Sequence, residues 1–207
     1  PTPKSECYDA IVHNFAHLGE DTLRDLPEKR SIYTLGMGIP GVLDNDTGLV
    51  INANTTVLIG KPLREDLAKL LDHPIAVMND ANCFTMAEAC EGAARGYEMV
   101  FGVIMGTGCG GGLFINGKMR QGPHGIAGEW GHASIDPNGE KWWCGTPGCT
   151  ESLISGSGVE HQYEARYGEK LPMVEIVSRY HRGDSNAVWI MDRLFEDFGR
   201  ALGGVIS

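Results

Sequence analysis

The segment Ile75-Ala-Val-Met-Asn79-Asp80-Ala-Asn-Cys83-Phe-Thr-Met-Ala-Glu-Ala-Cys-Glu-Gly92 decides the fold. The apolar run Ile75 to Met78 suits a buried strand, and the stretch after Ala81 has a helical pattern. Asn79 and Asp80 therefore sit at a strand–helix junction. Residues at the carboxyl ends of parallel strands face the ligand crevice of an open α/β sheet. A carboxylate placed there can accept a proton from an attacking hydroxyl, an effect of about 10²–10⁴ in rate. Asp at a helix start is equally an ordinary N-cap that accepts backbone N–H bonds. Both readings are open, and they are compatible.

Outward from this junction the pattern continues to alternate. Upstream we expect a helix near Cys7 to Leu18 and a strand over Ser31 to Met37, ended by the turn Gly38-Ile-Pro-Gly41. A short strand follows at Leu49 to Ile51, then a helix from Leu63 to Leu71 with apolar residues at 63, 67, 70 and 71. Downstream, the Asp80 helix is expected to run to about Arg95. Strands follow at Met99–Met105 and Gly111–Ile115, the second turned by Asn116-Gly117 into Lys118-Met119. From Ser157 the pattern is helical, with breaks at Gly168 and Gly183. Strand–helix alternation of this kind predicts an α/β fold, with a division near residues 96–98.

Composition narrows the function. At 207 residues the chain can bury a real core. A formal charge of −10, with Lys and Arg scattered singly, argues against nucleic acid as a partner. No apolar run reaches the ~20 residues that span a bilayer. The six cysteines lack the density of a small secreted scaffold, and no signal segment opens the chain, so we expect reduced thiols and a cytoplasmic protein.

Two further segments carry chemistry. Gly106-Thr-Gly-Cys-Gly-Gly-Gly112 contains the spacing of a dinucleotide fingerprint, but a hairpin follows where that fingerprint needs a helix. A glycine turn between two strands still exposes backbone N–H groups in a concave arrangement suited to phosphate oxygens. The second segment runs from Glu129-Trp-Gly-His132 through Cys144-Gly-Thr-Pro-Gly-Cys149 to Glu151. His132, Cys144 and Cys149 are ligand types suited to Zn²⁺, but a closed structural site needs four. By spacing alone, zinc and a compact loop with two free thiols remain equally open. Glu129 and Glu151 are either solvated acids or acceptors for sugar hydroxyls.

These motifs occur in one order with family-like gaps: Gly38-Ile-Pro-Gly41, Asn79-Asp-Ala-Asn-Cys83, Gly106-Thr-Gly-x-Gly-Gly-Gly112, Gly128-Glu-Trp-Gly-His132 and Cys144-Gly-x-x-Gly-Cys149-x-Glu151. Together they resemble the ROK family of sugar kinases and sugar-responsive repressors over the whole chain. Asn52-Ala-Asn-Thr-Thr56, Gly128-Glu-Trp-Gly-His132 and Glu151-Ser-Leu-Ile-Ser-Gly156 look most like its bacterial fructokinase/mannokinase branch.

The resemblance implies an actin-like ATPase fold (ribonuclease H-like) of two α/β domains around a cleft. Residues 1–97 would belong to the N-terminal domain and 98–207 to the C-terminal one. It implies Asp80 as general base, with Asn54, Thr55, Asn79, Glu129, His132 and Glu151 around the sugar. Gly106, Thr107 and Gly108 would meet the phosphates of ATP, bound with Mg²⁺. His132, Cys144 and Cys149 would hold a structural Zn²⁺, although the fourth ligand position of the family's Cys-x-Cys motif is Trp142 here; without zinc, Trp142 and Trp143 would hold the loop by packing. The implied partners are a small sugar and ATP, and a homodimer is usual for such relatives. The family's first phosphate loop and its adenosine-binding portion would lie outside this sequence. The expected activity is transfer of the γ-phosphate to a hexose hydroxyl, with fructose, mannose or glucose as acceptor. An N-acetylhexosamine kinase and a non-catalytic sugar-sensing repressor are the alternatives.

Overall fold

The computed structural model describes residues 7–25, 33–53 and 55–207. The first helix, α1 (Tyr8–Arg24), is followed by three strands, β1 (Leu35–Ile39), β2 (Val42–Leu43) and β3 (Val50–Ile51). A 3-10 turn (Thr56–Leu58) leads into α2 (Leu63–Leu70), β4 (Ile75–Asn79) and α3 (Asp80–Cys90). Next come β5 (Met99–Met105), β6 (Cys109–Ile115) and β7 (Lys118–Arg120). Four helices close the chain: α4 (Thr150–Ile154), α5 (Gly156–Tyr167), α6 (Met173–His181) and α7 (Ser185–Ile206). The α/β expectation holds. Asn54 lies outside the described residues, as does the start of the Ser31–Met37 strand, whose described part is displaced to Leu35–Ile39.

The register of one strand pair positions the site. Strands β1 and β4 run parallel, with Leu35 opposite Ile75 and Ile39 opposite Asn79. Their carboxyl ends are therefore level, and the Pro40-Gly41 turn and the Asn79-Asp80 junction emerge at one edge. Helices α1 and α2 cover this pair, burying Ile11, Val12, Leu63 and Leu67 with Val50 and Leu58. Val12 and Ala16 on α1, with Ile11 beside them, and Leu63 and Leu67 on α2 are each four residues apart, which gives each helix one buried face.

A second core lies under the C-terminal helices. There Trp130, Ile154, Val159, Tyr163, Ile176 and Ile190 are buried together with the long α7. Asp197 is fully buried on α7, but Arg193 and Arg200 reach it at 3.0 and 2.9 Å, so the charge is paired. Gly168 and Gly183 end their helices with φ of 70° and 79°, as their break signals predict. The sheet β5-β6-β7 is an antiparallel meander with Asn116 and Gly117 at the second turn.

Helix α3 joins the two halves. It leaves β4 and lies on β5 and β6, and a side chain at Gly112 would meet Thr85 Oγ1 at 2.5 Å. The helix stops at Cys90 rather than near Arg95. Glu91 leaves the helical conformation, and the Glu88 carboxylate bonds the Ala93 N–H of the following turn.

Candidate active site

Asn79, not Asp80, caps α3. Its side-chain oxygen accepts the Asn82 N–H at 3.1 Å, and the residue is buried. Asp80 is the first helical residue and stays exposed; its carboxylate accepts one hydrogen bond, from the Ala81 N–H at 2.9 Å. The capping role therefore falls on the neighbour. This leaves most of the aspartate's lone pairs without a protein partner among the described residues.

Glu129 and Glu151 come from the other half of the molecule. A side chain at Gly110 would touch Ala81 Cβ at 3.6 Å and Glu129 Oε2 at 3.8 Å, so Glu129 faces the start of α3 across this glycine. Glu129 keeps an exposed surface, yet the protein packed around its carboxyl withdraws enough water to push it up to about 7, and the nearby charges of Asp80 and Glu151 push the same way. Three carboxylates thus converge in one place.

Glu151 differs from the other two. It is 6% exposed and accepts three N–H bonds: Cys109 N–H on Oε2 at 3.1 Å, and the indoles of Trp142 and Trp143 on Oε1 at 2.8 and 2.7 Å. A carboxylate offers about four acceptor positions, so one remains. Gly108 makes room for it, since a side chain there would come within 2.8 Å of Glu151 Oε2.

The glycine loop turns between β5 and β6. The Gly156 N–H and Ser157 hydroxyl, at the start of α5, bond the carbonyls of Gly106 and Thr107 at 2.8 and 2.5 Å. The Gly106 N–H bonds the Gly108 carbonyl at 2.9 Å. With its carbonyls held this way, the N–H groups of Thr107 and Gly108 donate to no protein group among the described residues, which suits an anion. A hairpin follows the loop, which removes the dinucleotide reading.

The ligand atoms of His132, Cys144 and Cys149 all lie within 4.8 Å of one another. The two sulfurs are 3.7 Å apart. Thiolates bound at about 2.3 Å to a tetrahedral zinc would be about 3.8 Å apart, so the three residues fit such an ion. Trp142 adds no ligand, because an indole N–H only donates. Of the other expected sugar neighbours, Thr55 is buried at 8% exposure, whereas His132 is exposed and packs edge-on against Trp143 with ring centroids 5.0 Å apart. The three hydrogen bonds that Glu151 accepts go beyond the packing expected of Trp142 and Trp143.

The fold is the actin-like ATPase fold that the solved ROK kinases share. The whole chain, residues 1–207, matches the ROK family, and it belongs to that family. It is 38% identical over 217 residues to an N-acetyl-D-glucosamine kinase of Pectobacterium atrosepticum, covering 100% of this chain and 70% of the relative. An N-acetyl-D-glucosamine kinase of Escherichia coli O157:H7 is 35% identical, with the same coverage. Among solved structures, a ROK hexokinase from Thermus thermophilus superposes with a TM-score of 0.85 at 28% identity, covering 100% of this chain and 68% of that one. A ROK glucokinase from Streptomyces griseus, in complex with glucose and AMPPNP, gives 0.78 at 26% identity over 99% and 69%. The expectation of an ATP-dependent sugar kinase stands with these relatives. None of the described helices is long and apolar enough to cross a membrane.

Proposed function

We propose that this chain carries the sugar-binding and catalytic part of an ATP-dependent N-acetylglucosamine kinase. Asp80 takes the proton of the C6 hydroxyl as its oxygen attacks the γ-phosphate. Asn79, Glu129, His132 and Glu151 hold the remaining sugar hydroxyls, with Thr55 beside them. The free N–H groups of the Gly106–Gly108 loop receive phosphate oxygens. Mg²⁺ bound with ATP neutralises charge developing on those oxygens. Residues 1–97 and 98–207 form the two lobes of the cleft, and the two separate buried cores support that division.

The observation that carries the reading is the exposed, lightly bonded Asp80 carboxylate beside Glu129 and Glu151. The choice of sugar rests on the N-acetyl-D-glucosamine kinases among the relatives, in place of the fructokinase/mannokinase branch that the motifs suggested. Those motifs surround hydroxyls common to all these hexoses, so they do not register a substituent at C2. A ROK transcriptional regulator shares the fold, with a TM-score of 0.82, so the catalytic reading depends on Asp80 rather than on topology.

The test is coupled ADP release by the full-length protein with N-acetylglucosamine, glucose, mannose and fructose. We expect the highest kcat/KM with N-acetylglucosamine. A preference for fructose or mannose would return the substrate to the other branch, and no ADP release with any sugar would overturn the kinase.

A further inference from the structure

We propose that Trp142 and Trp143 are positioning residues for Glu151. Their two indole N–H groups set the direction of the sugar-facing carboxylate, a task distinct from holding metal. The proposal rests on the kinase reading above, because it takes Glu151 as a sugar ligand.

Three observations support it. Both indoles converge on one oxygen, Oε1, at 2.8 and 2.7 Å, while the Cys109 N–H fixes Oε2 at 3.1 Å. Donors on both oxygens leave the carboxyl group no free rotation, and hydrogen bonds to an ionised acceptor are among the stronger ones. Trp142 also stands where the resemblance expects a fourth metal ligand, yet its N–H is committed to Glu151. The Cys144 and Cys149 sulfurs and His132 are gathered without it. Finally, Trp143 is 65% exposed, an unusual place for an indole unless its N–H or its face is in use. Its N–H reaches Glu151 and its ring abuts His132, so it bridges two residues of the site.

The Trp142-Trp143 pair therefore transmits the conformation of the Cys144–Cys149 loop to the sugar pocket through hydrogen bonds. With one donor removed, Glu151 keeps its place in α4 but loses its fixed direction. Sugar affinity falls while the fold persists.

The experiment uses the full-length protein and the variants Trp142→Phe, Trp143→Phe and Trp142→Cys. Each is measured for N-acetylglucosamine Kd by calorimetry, for Tm, for bound zinc by elemental analysis and for KM and kcat. We expect Trp142→Phe and Trp143→Phe to weaken the sugar about tenfold, raising KM more than they lower kcat, with Tm within a few degrees of wild type. Trp142→Cys restores a four-ligand set. It should retain zinc more firmly against a chelator and yet lose sugar affinity by a similar factor, because it has no N–H for Glu151. Wild-type affinity in Trp142→Cys, or in both Phe variants, would overturn the proposal and leave the kinase intact. If a Phe variant fails to fold, the Trp142→Cys comparison of zinc against Kd decides. Failure of the wild type to bind any of the four sugars would overturn the kinase reading, and this proposal with it.

Discussion

Asp80 and Glu151 both neighbour Glu129, but in opposite environments. Asp80 opens α3 at the surface with a single N–H bond, and its neighbour Asn79 does the capping. Glu151 is buried at the start of α4 under three N–H bonds from two separate segments. A base must stay available to a proton, so few bonds suit it. A group that orients a ligand must not rotate, so many bonds suit it. The contrast supports the roles proposed for the two carboxylates, Asp80 as base and Glu151 as sugar ligand.

The contrast can be broken at either end. Asp80→Asn in the full-length protein should lower turnover by about 10²–10⁴ while sugar Kd stays within a few-fold. Stability should move by no more than about 0.5 kcal/mol, as for an exposed side chain. Steady-state ADP release and calorimetry check this, and turnover above a tenth of wild type would remove the base assignment. Glu151→Ala should behave oppositely. It leaves the buried Cys109 N–H and two part-buried indole N–H groups without their acceptor, so the unfolding free energy should fall by about 1–3 kcal/mol in a urea titration, along with a loss of sugar affinity. Gly108→Ala would press a methyl group against Glu151 Oε2, with an expected loss of about 1–3 kcal/mol from overpacking. An unchanged urea midpoint would mean that the carboxylate has room to shift.

Glu129 gives the smallest and most specific effect. Its folded value of about 7 lies above the ordinary 4.5. Protonated Glu129 therefore favours the sugar-free fold below pH 4.5, and that contribution is lost as pH rises through about 7. Glu129→Gln should gain stability relative to wild type across this window and match it at lower pH. Asp80→Asn should move the Glu129 midpoint downward, since the Asp80 charge helps to raise it. A midpoint unaffected by Asp80→Asn, followed by carboxyl NMR, would separate the two groups.

Much of the architecture was legible because it depends on local rules. Strand Met99–Met105, the Asn116-Gly117 turn and the breaks at Gly168 and Gly183 follow from apolar period and from φ > 0 positions that favour Gly and Asn. The Asn79-Asp80 junction was legible for the same reason, as a strand end followed by a helix start. Which of the two residues caps the helix was not. Both are good caps, and a one-residue choice at a boundary depends on where the strand register stops. The convergence of Trp142 and Trp143 on Glu151 was hidden for another reason. Indole donors carry no spacing rule, and their partner is found only when the loop closes on α4.

The sequence alone determined an α/β chain with an acid at a strand–helix junction, a glycine turn between strands and three metal-type ligands, because each is written in neighbouring residues. Only the tertiary structure decided which carboxylate is open and which is held, because that depends on N–H groups 8, 9 and 42 residues away. Long-range packing sets those distances, and no local pattern encodes them.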